Sequence, residues 1–176
     1  MNKENLSTEL VYENSNDKIF FDSLVENNMA SEYKAYLVND SNHSGSFGYT
    51  ANRALEIYLN VKFPFIETTQ MNKFMEHFIL GEDCYILCHG KDNKDMFKNL
   101  PLTLDVKTEN FINEYIDNKG IKGNVVFVKG DLHQSATTYG RRFTYKSVGS
   151  LFGSSEWIHK NFGNTPAACD YSIVDE

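Results

Sequence analysis

Proline is scarce in this chain, at 3 residues, tryptophan occurs once, and the 3 cysteines follow no framework spacing. Low proline with frequent asparagine and lysine points to an AT-rich source genome, as in a bacterium or a phage. Cys84 and Cys88 stand four apart in an apolar run, so on a strand both face the same side. Neighbours on one strand face are too far apart for an unstrained disulfide, and Cys169 is left over. That usage predicts a reduced, cytoplasmic protein. No apolar stretch reaches the length of a membrane span, and the start, Met1-Asn-Lys-Glu-Asn-Leu, lacks the apolar segment of a signal peptide. The chain also has no P-loop, no GxGxxG, no HExxH and no zinc-cysteine spacing, which argues against ordinary nucleotide, dinucleotide and zinc enzymes. Ser135, Thr137 and Thr138 sit in no Gly-x-Ser-x-Gly elbow, which disfavours a serine hydrolase.

What remains is an ordinary globular composition, 41% hydrophobic and 23% charged over 176 residues, enough for one domain with a real core. Aromatics are plentiful, with 13 Phe and 10 Tyr, so much of that core is aromatic and some tyrosine hydroxyls need partners. The net charge of −7 favours solubility and disfavours nucleic acid or anionic membranes as partners. Charge is uneven. Glu4, Glu9, Glu13, Asp17, Asp22, Glu26 and Glu32 make the first stretch acidic, whereas Arg141, Arg142, Lys146 and Lys160 gather later.

Residues 1–16 are polar and predict a flexible acidic tail, leaving 17–176 as a single α/β domain. A helix is expected from Asp17, with Ile19, Phe20, Leu24 and Val25 on one face, and a strand at Tyr33–Val38. Asn39–Gly48 is the longest loop signal, followed by a helix over 51–60 capped by Thr50. Met71, Phe74, Met75, Phe78 and Ile79 follow a helical period, which predicts a second helix closed by Gly81. A strand at 84–88, a charged loop at 91–98, and a third helix capped by Thr108 and stopped by Gly120 come next. The strand at 124–128 is followed by a short strand near 142–146, a short helix at 155–162 and a last strand at 171–174. This alternation predicts one three-layer α/β domain with a largely parallel sheet centred on 33–38, 84–88 and 124–128.

Ligands of open α/β sheets collect beyond the carboxyl ends of the strands. Two apolar runs end there in reactive side chains: Cys84-Tyr-Ile-Leu-Cys-His89-Gly90 and Asn124-Val-Val-Phe-Val-Lys-Gly-Asp131-Leu-His133. A histidine after a strand suits general acid–base work, although it also suits a simple strand-end hydrogen bond. Cys88 points to the other side of the strand from His89, a poor nucleophile–base geometry that assigns it to the core. Tyr139, Arg141 and Arg142 offer stacking and planar donors for an anionic ligand, or form a charged edge strand.

Two resemblances follow from these residues. Gly130-Asp131-Leu-His133 resembles the opening metal-binding motif of the metallophosphoesterases, in which an acidic residue and a histidine two apart face one metal. That family's further Asp, Asn and His motifs are absent downstream, where only His159 remains. The order His89-Gly90, helical crossover, strand, Asp131 is similar to that of the caspase–hemoglobinase cysteine peptidases, with Asp131 where the nucleophilic cysteine belongs. That resemblance implies the fold together with lost or different chemistry, since a carboxylate does not replace a thiolate.

The sequence therefore predicts a small soluble hydrolase or phosphate-directed enzyme. His89, Asp131 and His133 are its catalytic residues, a divalent metal is an optional cofactor at Asp131 and His133, and Arg141, Arg142 and Tyr139 hold a small anionic ligand. The alternative is a non-catalytic bacterial or phage accessory, immunity or inhibitor protein, whose acidic first third binds a protein partner.

Overall fold

The computed structural model describes residues 7–12, 17–27, 30–39, 45–91, 99–149 and 160. The chain divides into two compact units, Met1–Lys73 and Phe74–Glu176. Both mix helices with strands, and four of the six strand pairings among the described residues are parallel. The α/β class and its parallel bias hold. Among the described residues, no helix is long and apolar enough to cross a membrane.

In the first unit β1 (Ser7–Tyr12), β2 (Glu32–Val38) and β3 (Glu67–Met71) form a parallel sheet in that order. The stretch expected as a tail thus carries a strand. Helices α1 (Asp17–Glu26) and α2 (Gly45–Lys62) make the connections that parallel neighbours require. Tyr33, Ala35 and Leu37 alternate into the core of this unit, with Phe21, Leu55, Leu59 and Ile66 also buried. Asp22 ties the helices together, accepting from the Tyr58 hydroxyl and pairing with Lys62. The helix expected at 51–60 is therefore longer, and Gly45–Gly48 of the expected loop belongs to it.

The second unit holds a five-stranded sheet in the order β4-β5-β6-β8-β7. Its strands are β4 (Glu76–Leu80), β5 (Asp83–Cys88), β6 (Asn124–Lys129), β7 (Ala136–Tyr139) and β8 (Thr144–Ser147). Strand β2 was expected beside β5 and β6 in one central sheet, but it lies in the other sheet. The helix expected from Met71 to Ile79 is the larger correction. Met71 ends β3, and residues 76–80 form β4, antiparallel to β5. Gly81, at φ +57, opens a two-residue hairpin loop, the residue that such a turn favours at its first position. Phe78 and Tyr85 are register partners and stack at 5.3 Å, while Ile79 is 60% exposed instead of facing inward.

Helix α3 (Val106–Lys119) connects β5 to its parallel neighbour β6. Its cap is Asp105, three residues before the expected Thr108: the carboxylate accepts from the Thr108 backbone N–H at 2.7 Å. Gly120, at φ +63, closes the helix as expected, and Ile121 N–H donates back to Ile116 at 3.0 Å. The core of this unit joins Ile112 and Ile116 of α3 to Cys84, Ile86 and Cys88 of β5, Val125 and Phe127 of β6, and Tyr145 of β8. Phe127 and Tyr145 stack with ring centroids 5.4 Å apart, and burial pushes the Tyr145 hydroxyl above its ordinary pKa. That hydroxyl donates to the Pro101 carbonyl at 2.6 Å. The elements expected at 155–162 and 171–174 lie outside the described residues, apart from a helical Lys160.

Two outcomes follow. Phe127→Ala leaves a cavity beside Tyr145 and is expected to cost about 3–5 kcal/mol in denaturant unfolding. Asp105→Ala is expected to cost about 1 kcal/mol at neutral pH. The Thr108 amide holds the Asp105 carboxyl below its ordinary pKa, so its contribution is present above the unfolded value near 4 and lost as pH falls through the lower folded value. Unfolding curves of wild type and variant should therefore converge in acid.

Candidate active site

The site is built where β5 and β6 end side by side. Register pairs Cys88 with Lys129, so the next residues, His89-Gly90 and Gly130-Asp131, leave the sheet together. His89 Nε2 lies 3.4 Å from Asp131 Oδ1, with the two side chains 1% and 6% exposed. The sequence placed both residues correctly at the strand tips, and the structure joins them. An imidazole held against a buried carboxylate is fixed in orientation.

Backbone geometry serves this contact. Leu132 N–H donates to the Gly130 carbonyl at 2.9 Å, enclosing Asp131 at φ +65 in a three-residue turn of the strained, positive-φ kind. His133 is also left-handed, at φ +54. Two non-glycine residues in that region within three positions store strain, a pattern that clusters at functional sites. The strand alternation that suggested His133 as a partner of Asp131 does not apply here. Residues i and i+2 share a face only on extended backbone, and neither Asp131 nor His133 is extended. Gly90, at φ +114, packs where a Cβ would meet Asp131 Cβ at 3.3 Å and Lys129 Cδ at 3.4 Å. A side chain there would crowd the pair and strain the backbone.

Lys129 was missed. Val125, Phe127 and Lys129 alternate onto the core face of β6, and Lys129 is 0% exposed. Burial lowers its pKa, opposed by the nearby Asp131 carboxylate and Cys88. Its ammonium donates to the Gly130 carbonyl at 3.3 Å. The signal was legible: the last residue of Val-Val-Phe-Val-Lys falls on the inward phase of the strand. Cys84 and Cys88 are free thiols in the core, as expected, and burial raises the Cys84 pKa. Cys169 lies outside the described residues.

The predicted anion holders are elsewhere. Tyr139, Arg141 and Arg142 surround the β7–β8 turn, and β8 starts level with Val126 and ends level with Lys129. They therefore sit at the opening end of β6, roughly 15–20 Å from Asp131 at about 3.3 Å per residue. Arg141 pairs with Glu109 and Arg142 with Asp117, while Tyr139 is 80% exposed. The structure does not bring these three to His89. A depression of about 390 Å³, lined by residues such as Lys122, Val125 and Arg142, lies at that same distant end.

A divalent metal is not supported by these donors. His89 and Asp131 supply two, and among the described residues no group of three His, Cys, Asp or Glu side chains converges.

No family model matches the chain, and no curated protein does. Among solved structures it is similar to a conserved uncharacterized protein, a predicted phosphoesterase from Streptococcus pneumoniae TIGR4. Identity is 12%, the match covers 84% of this chain and 73% of that one, and the TM-score is 0.41. The resemblance to caspase–hemoglobinase peptidases is not supported: no family model matches, and the residue beside His89 is the carboxylate of Asp131 where those enzymes carry their cysteine.

Proposed function

We propose that this chain is a hydrolytic enzyme directed at a phosphoryl or similarly anionic substrate, acting where β5 and β6 end. The observation that carries this reading is the buried His89–Asp131 contact at the carboxyl ends of two adjacent parallel strands. In this reading His89 transfers the proton as general acid or base, and Asp131 orients the ring and balances the imidazolium charge. The neighbouring amine of Lys129 supports a substrate of negative charge. A carboxylate and an imidazole side by side, with a buried amine next to them, exceed what closing a strand end requires, since each buried polar group costs stability.

The test is hydrolysis of p-nitrophenyl phosphate and bis-p-nitrophenyl phosphate by the full chain, with and without added Mg²⁺ or Mn²⁺. Wild type is expected to turn over at least one ester. His89→Ala should lower turnover by about 100-fold or more, with folding unchanged by circular dichroism. Asp131→Asn keeps the shape but removes the charge, and is expected to cost roughly 10- to 100-fold. Absence of turnover with both esters, or a fully active His89→Ala protein, would sink the reading.

A further inference from the structure

Beneath the His89–Asp131 pair, three adjacent strands end in a row of reactive side chains on one face of the sheet. Register aligns Cys88 of β5 with Lys129 of β6, and Lys129 with Ser147 of β8. All three are buried, at 4%, 0% and 2% exposure. The face continues the packed row of Ile86, Phe127 and Tyr145, so a fold built for stability alone would place apolar residues here.

Among the described residues, Lys129 and Ser147 of this row are poorly satisfied. An amine can donate three hydrogen bonds, and the one described for Lys129 runs to the carbonyl of the next residue. Among the described residues, Ser147 Oγ makes no hydrogen bond although it is buried. The amine has no acidic residue on β8 to neutralise it; the charged and titratable groups acting on it are Asp131, which already contacts His89, and the Cys88 thiol. An unpartnered hydroxyl beside an under-used amine is, among the described residues, a donor pair short of acceptors. Gly90, Gly130 and Gly149 each follow a strand end within two residues, and a Cβ at Gly90 would meet Lys129 Nζ at 3.6 Å.

We propose that Lys129 and Ser147 form an oxyanion subsite, which takes the phosphoryl group of a substrate whose leaving group faces His89. This rests on the hydrolytic reading above and adds where the negative charge is held. A tetrahedral oxyanion supplies an acceptor with several lone pairs and a further negative charge beside the amine. The position is next to the acid–base pair, because Lys129 and Asp131 are two residues apart around Gly130. It also explains why a lysine occupies a core-facing position, which a methionine would fill at lower cost.

The experiment is titration of the full-length protein with inorganic phosphate, followed by thermal unfolding and by calorimetry. Wild type is expected to bind saturably, with a rise in unfolding temperature. Lys129→Met should abolish that rise, while its own ligand-free unfolding temperature equals or exceeds that of wild type. A merely structural lysine would instead leave the variant destabilised. Ser147→Ala, a small change that keeps the strand, should weaken phosphate roughly tenfold. Failure of wild type to bind phosphate overturns the subsite, as does wild-type affinity in a folded Lys129→Met protein. If Lys129→Met does not fold, unaltered affinity in Ser147→Ala overturns it. Ester turnover together with unaltered phosphate binding in both variants removes the subsite and leaves the acid–base pair standing. Phosphate binding that both substitutions weaken, without ester turnover, removes the hydrolytic reading and leaves the subsite.

Discussion

The parallel pairing of β6 with β5 on one side and β8 on the other is the constraint on which the second unit turns. A one-residue slip in either ladder would send Phe127 to the wrong face and break its stack on Tyr145. Because side chains alternate with a period of two, the register that buries Phe127 must also bury Lys129. The aromatic stack and the buried amine are thus consequences of one alignment. The same alignment delivers His89 and Asp131 to one place, since both follow the paired residues Cys88 and Lys129 at short distance.

Much of this architecture was legible in local pattern. The strands at 33–38, 84–88 and 124–128 announced themselves as apolar runs, and α3 carried its inward face and its glycine stop in plain sequence. The segment at 71–79 was not legible, because apolar residues at helical spacing arise equally where one strand ends and another begins. There Met71 is buried at the end of β3, and Phe78 is recruited by the aromatic ring of Tyr85 across a hairpin. Cross-strand partners decide such a case, and they are remote from any sequence window. The cap at Asp105 was misplaced for a smaller reason: Asp105 and Thr108 are both good capping residues, and only geometry shows which accepts and which donates.

The candidate site divides along similar lines. His89 and Asp131 were found because strand ends are readable, and their contact followed from two parallel strands finishing level. Lys129 and Ser147 were overlooked because lysine and serine are surface residues by habit, and their burial depends on the phase of the strand. Arg141 and Arg142 lie apart from His89 for a reason of topology. Two adjacent arginines suggest an anion site in sequence, but β8 enters the sheet from the end opposite His89, and Glu109 and Asp117 on α3 engage them there.

The two-residue hairpin between β4 and β5 sets an order of events in time. Its strands meet across two intervening residues, whereas β5 must wait for about 35 residues of chain to return before β6 can pair with it. Hairpins form in about 1–10 μs, and long-range parallel pairing is slower because loop closure precedes its reward. Both local hairpins, β4–β5 and β7–β8, close short loops, whereas joining either to β6 requires a longer-range parallel pairing. His89 follows a strand of the β4–β5 hairpin while Asp131 follows β6, so the candidate pair comes together only when the long-range β5–β6 pairing closes.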